Sequence, residues 1–346
     1  MLLPSHALLG NVSKSAYPLH SYSLEFPFID TPFENRFWNY GGDTLVDLRN
    51  SRILLTADRQ HQRGWVWSKQ PMSGNAWVVD VEFKVQGTSG AFHGDGFAFW
   101  YTADKENQGP VFGNKDYFKG LGVLFDTYKN SHYHPFNFPY VSVQVNDGTQ
   151  SYSAFTDGKQ GEVGGCSASF RNVQWSTYAR IEYVKNDFLR VSVSVDGANQ
   201  WTECVYMEDP PSLPDNGYLG FTSHTGDATD NHEILRVVTN GLTNPKAYKL
   251  SLNHLNAIND AIAQVAKSGS SAGNALRLEG GSFDSSQGIF GEAFLLVMGV
   301  GSFFVIALGG FLYWKKRQGG GKEGGSLGVS LGFSGGGHKA SYSKRF

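Results

Sequence analysis

A chain of 346 residues with 29 Lys and Arg against 31 Asp and Glu carries a formal net charge of −2. Its basic residues are scattered rather than striped, so composition gives no electrostatic case for nucleic acid as a partner. With 43 glycines, 14% aromatic residues and few long helical patterns, the chain fits an all-β domain rich in turns.

Residues 1–20 read as a loose leader. Met1–Gly10 has a short apolar patch and no basic n-region, so a cleavable signal peptide is missing or incomplete there. Either the start is truncated or the membrane segment described below targets the chain itself. Asn11-Val12-Ser13 is a glycosylation sequon, usable in a lumen.

Residues 21–243 read as one continuous β domain. Period-two alternation is clear in Trp77–Val85, Tyr140–Val145 and Phe188–Val195, with turn signals at Asn146-Asp147-Gly148, Asp157-Gly158 and Asp196-Gly197. Gly96–Thr102 and Gly122–Thr127 are nearly continuously apolar, the pattern of strands buried on both faces. Many short strands in about 220 residues make the size of one large β-sandwich. Cys166 and Cys204 are the two cysteines. On the luminal side of a membrane an even count favours a disulfide, worth about 4 kcal/mol in the chain-entropy picture. Two free buried thiols are the alternative.

Residues 244–292 read as a helical stalk and a Ser/Gly linker. Asn244-Pro245 ends the strand pattern, and Leu250, Leu252, Leu255, Ile258, Ile262 and Val265 then recur at spacings of an amphipathic helix. That helix suits self-association into a homo- or hetero-oligomer, or docking on its own domain. Residues 293–314 carry no charge and are followed by Lys315-Lys316-Arg317. At about 1.5 Å per residue the run reaches about 33 Å, enough to cross a hydrocarbon core. The basic cluster places the Gly-rich, disordered tail (315–346) in the cytosol and everything before Glu292 in a lumen or outside the cell. The chain thus reads as membrane-embedded and type I.

The chemistry concentrates in two blocks, His93-Gly94-Asp95-Gly96 and Phe125-Asp126-Thr127-Tyr128-Lys129-Asn130. Asp126, the carbonyl of Tyr128 and Asn130 stand at i, i+2 and i+4, and can present oxygens to one side of a strand end. That is hard-ligand chemistry suited to Ca²⁺, with Asp157 in the following turn as candidate fourth donor. Spacing alone equally allows a polar strand end with solvated Asp and Asn.

Phe26-Pro27-Phe28, Trp38-Asn39-Tyr40-Gly41-Gly42, His93-Gly94-Asp95-Gly96, the run 122–130, Phe138-Pro139-Tyr140, Gly165-Cys166 and Thr225-Gly226-Asp227 with Asp230-Asn231-His232 occur in order. Through them, residues 22–242 resemble the leguminous-type lectins of the early secretory pathway. Those are membrane-bound cargo receptors that bind high-mannose glycans. The resemblance implies a jelly-roll β-sandwich of two large antiparallel sheets, with Ca²⁺ held by Asp126, Tyr128, Asn130 and Asp157. It implies sugar contacts from Asp95, Asn130, Gly226 and Asp227, with Asp43 near a further contact position, and a disulfide between Cys166 and Cys204. It also implies high-mannose glycoproteins as cargo, vesicle coat proteins as partners of the tail, and residence in the endoplasmic reticulum, the ER-Golgi intermediate compartment and Golgi membranes.

Two departures stand out. Ala154 occupies the position where the family places a sugar-contacting His, so one hydrogen bond and one proton sensor are absent. Leu124 stands where plant lectins carry a Glu for a transition metal, so no second metal is expected. A glycoside hydrolase needs two carboxylates about 5–9 Å apart, and Asp80 and Glu82 are the nearest pair. Their apolar neighbours Val79, Val81 and Phe83 fill the opposite face, which leaves the acids facing solvent. A binding module therefore outranks an enzyme. A second binding reading is a receptor of the same fold that takes protein cargo with little or no sugar, for which Ala154 is the supporting feature.

Overall fold

The computed structural model describes residues 15–251, apart from 31–33, 91, 132–133 and 199. The sequon at Asn11, most of the stalk helix, the linker, the predicted membrane span and the tail lie outside the described residues. Among those described, no helix is long and apolar enough to cross a membrane.

The strands in chain order begin β1 (Ala16–Pro18), β2 (Trp38–Gly42), β3 (Leu45–Asp47), β4 (Arg52–Thr56), β5 (Arg63–Ser68), β6 (Met72–Ser73), β7 (Ala76–Gln86) and β8 (Gly96–Thr102). They continue β9 (Gln108–Gly109), β10 (Gly113–Asn114), β11 (Lys119–Asp126), β12 (Tyr140–Asp147) and β13 (Glu162–Ser167). The last are β14 (Thr177–Val184), β15 (Phe188–Ser194), β16 (Thr202–Glu208), β17 (Asn216–His224) and β18 (Asn231–Leu242). One sheet has the order β16-β15-β14-β7-β18-β4-β3, with β1 added on β18. The other runs β13-β12-β11-β8-β17-β5-β2, with β6 added on β17. All pairings within the two sheets are antiparallel. The expected all-β sandwich of two antiparallel sheets is present.

Alternation explains the layers. In β7, Val79, Val81, Phe83 and Val85 enter the core between the sheets, while Asp80, Glu82 and Lys84 face outward. Asp80 is not merely solvated, since Arg180 donates to it from β14 (Nε 2.7 Å, Nη2 3.2 Å). β8 is buried along its whole length because it packs on two sides. Phe97, Phe99 and Tyr101 join the inter-sheet core, whereas Ala98 and Trp100 meet Leu124, Phe112 and Phe118 on the outer face. Phe97 and Phe125 stack at 4.5 Å between centroids, with Phe83 4.8–4.9 Å from each. This aromatic stack sits one or two residues from the strand ends that carry Gly96 and Asp126, and gives them a rigid base. Cys166 and Cys204 form the expected disulfide. It joins β13 and β16, the edge strands of the two sheets, and so closes the sandwich along one side.

One boundary differs from the sequence reading. Ala16–Pro18 belong to the sheet, with Ala16 opposite Leu242, so the leader is shorter than residues 1–20. Three residues without a strand period leave no signal for such an edge. At the other end, a helix begins at 245–251 with Asn244 as its cap, its side chain accepting the N–H of Ala247 (3.0 Å). Pro245 stands just inside, where its missing N–H costs nothing. This first turn docks on its own domain. Tyr248 is 1% exposed and donates to Glu182 Oε1 (2.5 Å), and Lys249 pairs with Asp187 (2.5 Å). Glu182 is itself buried, with its carboxyl pushed up by burial and Arg190 Nε 3.7 Å away opposing that shift. Tyr248→Phe is expected to cost about 1–3 kcal/mol by leaving that carboxylate short of a donor. Urea unfolding against the wild type checks this, and an unchanged midpoint would refute it.

Candidate functional site

Three strand ends meet at one end of the second sheet. Asp126 closes β11 opposite Gly96 at the start of β8, and His224 closes β17 on the other side of Gly96. Backbone bonds lock the junction: Thr127 N–H donates to Asp95 O (3.1 Å) and Asp95 N–H to His224 O (3.3 Å). Gly94 is needed where the loop crosses Tyr128, because a Cβ there would lie 2.9 Å from the Tyr128 Cβ.

Asp126 is 5% exposed and accepts the N–H of Tyr128 on Oδ1 (2.9 Å). Asp157, 3% exposed, sits in a left-handed conformation at the end of the short 3₁₀ turn Ala154–Thr156. Its two oxygens accept the N–H groups of Asn130 and Ser131 (2.9 Å each), so the turn holds the loop that carries Asn130. The structure therefore brings Asp126, Tyr128, Asn130 and Asp157 into one loop cluster. Burial first, then the negative charges of Asp157 and Asp95, push the Asp126 carboxyl well above the usual carboxylate range. Among the described residues no Lys or Arg forms an ion pair with Asp126 or Asp157, so no such pair offsets the crowding of negative charge. Two carboxylates, an amide and a main-chain carbonyl make an all-oxygen set, which fits Ca²⁺. Among the described residues no three His, Cys, Asp or Glu side chains assemble as metal ligands.

Beside this cluster lies a polar rim. Asp95 is half-buried, and His224 Nδ1 stands 3.0 Å from its Oδ2. Gly226 is next to it, and a Cβ there would come within 3.5 Å of the same oxygen. The absence of a side chain at 226 keeps the Asp95 carboxylate open. Asp227 is exposed in the same loop, where its carbonyl accepts from Gln60 Nε2 (3.1 Å) and its carboxylate faces His61 at 3.8 Å. Asp95, Asn130, Gly226 and Asp227 are thus all delivered by loops at this end of the sheet.

Asp43 stands apart. It lies at the same sheet end, but Gly42 pairs with β5, Arg63 with His224 and His224 with Gly96, three strand spacings or about 14 Å from Asp95. Its carboxylate accepts the N–H of Arg63 (2.8 Å), which gives it a local role in holding the β2–β3 turn. Sequence reading missed His224, Gln60 and His61, which carry no spacing signal and meet the site only through sheet pairing. It also missed the tether of the Asp95 loop. Arg171 Nε lies 2.9 Å from both oxygens of the fully buried Asp230, and its Nη2 donates to Ser89 O (2.7 Å).

The fold is a β-sandwich of the legume lectin type, with these loops gathered at one end of a sheet. The chain belongs to the legume-like lectin family, whose pattern matches residues 15–249. It is similar to the VIP36-like protein of Mus musculus, 37% identical over 252 residues that cover 71% of each chain. It is also similar to the vesicular integral-membrane protein VIP36 of Mus musculus, 39% identical over 201 residues. That match covers 58% of this chain and 55% of the relative, so it spans little more than half of the relative's length. Among solved structures it resembles the VIP36 exoplasmic/lumenal domain in its Ca²⁺/Man3GlcNAc-bound form. The TM-score is 0.60 at 36% identity, covering 64% of this chain and 89% of that one. The family is one of lectins rather than enzymes, which removes the hydrolase alternative.

Proposed function

We propose that this chain is a type I membrane lectin that binds high-mannose N-glycans of glycoproteins in a calcium-dependent way and sorts them between endoplasmic reticulum and Golgi. The observation that carries the reading is the cluster of Asp126, Tyr128, Asn130 and Asp157 beside the open carboxylate of Asp95. Ca²⁺ there would be held by the Asp126 and Asp157 carboxylates, the Asn130 amide oxygen and the Tyr128 carbonyl, and would supply positive charge to the crowded carboxylates. Fixing Asn130 before sugar arrives lowers the ordering cost of binding. Asp95 and Asn130 then hold adjacent mannose hydroxyls with opposite hydrogen-bond polarity, and the 226–227 loop bounds the sugar. The relative crystallised with Ca²⁺ and a mannose glycan supports the same assignment. A glycan array with and without calcium tests it: binding confined to mannose glycans and to the calcium arm is expected, and calcium-independent binding would refute it.

The domain order proposed is the lectin domain on the luminal side, then stalk and linker, a span at 293–314 and a cytosolic tail whose Lys344-Arg345-Phe346 end meets vesicle coat proteins. The relative named a vesicular integral-membrane protein supports the membrane assignment. In the same proposal, the predicted stalk sequence beyond residue 251 is the segment available for association with a second copy or a related receptor.

Ala154 favours a second reading, a lectin-fold receptor for protein cargo. Its position is exposed on the 3₁₀ turn, so a larger side chain fits. Ala154→His is expected to tighten mannose binding at neutral pH by about 1 kcal/mol, one net hydrogen bond. The gain should fade below about pH 6.5, as the imidazole protonates and loses its acceptor. Calorimetric titration at pH 7.4 and 5.5 reads both effects. A wild-type protein that binds calcium but no mannose glycan would favour the protein-receptor reading.

A further inference from the structure

The turn that presents Asp157 also presents a large apolar ring. Phe155 is 78% exposed, more than any other large hydrophobic side chain among the described residues. A single exposed phenylalanine is ordinary, so its placement has to carry the argument. Phe155 is two residues from Asp157 and hence no more than about 7.6 Å away along the backbone.

The turn is closed by Thr156 N–H and Gly158 N–H donating to Ser153 O (3.2 and 2.9 Å) and Asp157 N–H to Ala154 O (3.1 Å). Its inner side is occupied by the buried Asp157 and by Tyr152, whose ring lies directly under Gly158. Those groups leave the ring of Phe155 no place inside, so a rigid turn displays it to solvent. Its neighbour Ala154 is exposed and offers no polar atom beyond the backbone. Just beyond the same turn in sequence, Lys159 Nζ stands 5.6 Å above the ring of Phe136, which is also exposed and follows Asn130 in its own loop. Ala154 and Phe155 therefore give the exposed part of this turn an apolar surface, on the turn whose Asp157 holds the backbone of Asn130.

A pyranose has the matching division: hydroxyl edges and a face of C–H groups. We propose that Phe155 forms a second carbohydrate subsite, an aromatic platform for the C–H face of the sugar residue adjoining the mannose held at Asp95 and Asn130. It makes this chain select oligomannosides over single sugars by stacking, in place of a hydrogen bond from residue 154. The proposal rests on the lectin reading above. Rings are preorganised, with two rotatable bonds, so stacking on one costs little ordering.

The test uses the purified full chain in detergent micelles with saturating calcium, titrated with methyl α-mannoside and with a mannose oligosaccharide. Phe155→Ala is expected to weaken the oligosaccharide about three- to tenfold, the size of an aromatic contact, and to leave calcium and methyl mannoside affinities within twofold. Phe155→Trp should keep the oligosaccharide affinity, and its fluorescence should shift with the oligosaccharide but not with methyl mannoside. Equal loss for both sugars, or no loss for either, would overturn the platform while leaving the lectin reading intact. Phe155-dependent binding of an enzymatically deglycosylated glycoprotein would assign the ring to peptide and also overturn it. A wild-type chain that binds neither sugar refutes the lectin reading, and the platform with it.

Discussion

Asp126→Ala is expected to abolish calcium-dependent mannose binding. Altering residues that merely orient metal ligands costs about 10–100-fold in affinity, so loss of an ionised ligand should exceed about a hundredfold. Without its ion, the loop carrying Asn130 must be ordered by the sugar itself, and mannose affinity falls with it. The variant has a built-in control against misfolding. In the calcium-free wild type, burial raises the Asp126 carboxyl above its unfolded value, so its contribution to stability is present below the ordinary carboxylate range. That contribution is lost as pH rises through the raised value. Removing the carboxyl therefore relieves that penalty at neutral pH, against the loss of the Tyr128 N–H bond, and the calcium-free variant is expected to stay folded. The expected result in thermal unfolding is a wild type whose midpoint rises on adding calcium, and a variant whose midpoint does not move. Full mannose affinity in Asp126→Ala would place the site elsewhere.

Arg171→Ala is expected to have the largest effect on stability. Asp230 is fully buried and its carboxyl is already pushed up by burial, with Arg171 as the group that opposes the shift. Breaking such a pair from one side typically costs about 3–5 kcal/mol, because a charge is left uncompensated. The effect also reaches function. Arg171 holds Ser89 O, and Asn172 exchanges hydrogen bonds with Gly87 (3.0 Å each way), so residues 171–172 anchor the loop that leads to Asp95. Mannose affinity should fall more than calcium affinity in this variant. The double variant Arg171→Ala/Asp230→Asn should recover part of the lost stability, since it removes the unpaired charge. Equal denaturation midpoints for Arg171→Ala and wild type would show that Asp230 is stabilised by other groups.

The parts of this molecule that were legible in its sequence share a physical cause: each writes its signal locally. Alternation in β7 and the continuous apolar runs of β8 and β11 follow from faces that must be covered, and the structure covers them. The proposed calcium donors lie within a few residues of one another or in an adjoining turn, so their spacing was readable. An even pair of cysteines pointed to one bridge, and the bridge joins the two edge strands. What stayed hidden depends on pairing at long range. His224 reaches Asp95 only because β17 lies beside β8, and Arg171 reaches Asp230 across 59 positions. Tyr248 reads as one aromatic on an amphipathic helix, yet its hydroxyl meets a carboxylate 66 residues earlier. Asp43 shows the opposite case, since its position in the sequence gives no sign that it lies three strand spacings from Asp95.

The central claim is that one site couples calcium to mannose, and linkage tests it most directly. Calcium affinity is measured by titration without sugar and with saturating oligomannoside, and oligomannoside affinity without and with saturating calcium. A common site requires both affinities to rise by the same factor, because coupling is reciprocal. The account predicts that equality, with both couplings lost in Asp126→Ala. Calcium binding that is indifferent to mannose, with mannose binding that is indifferent to calcium, would contradict it.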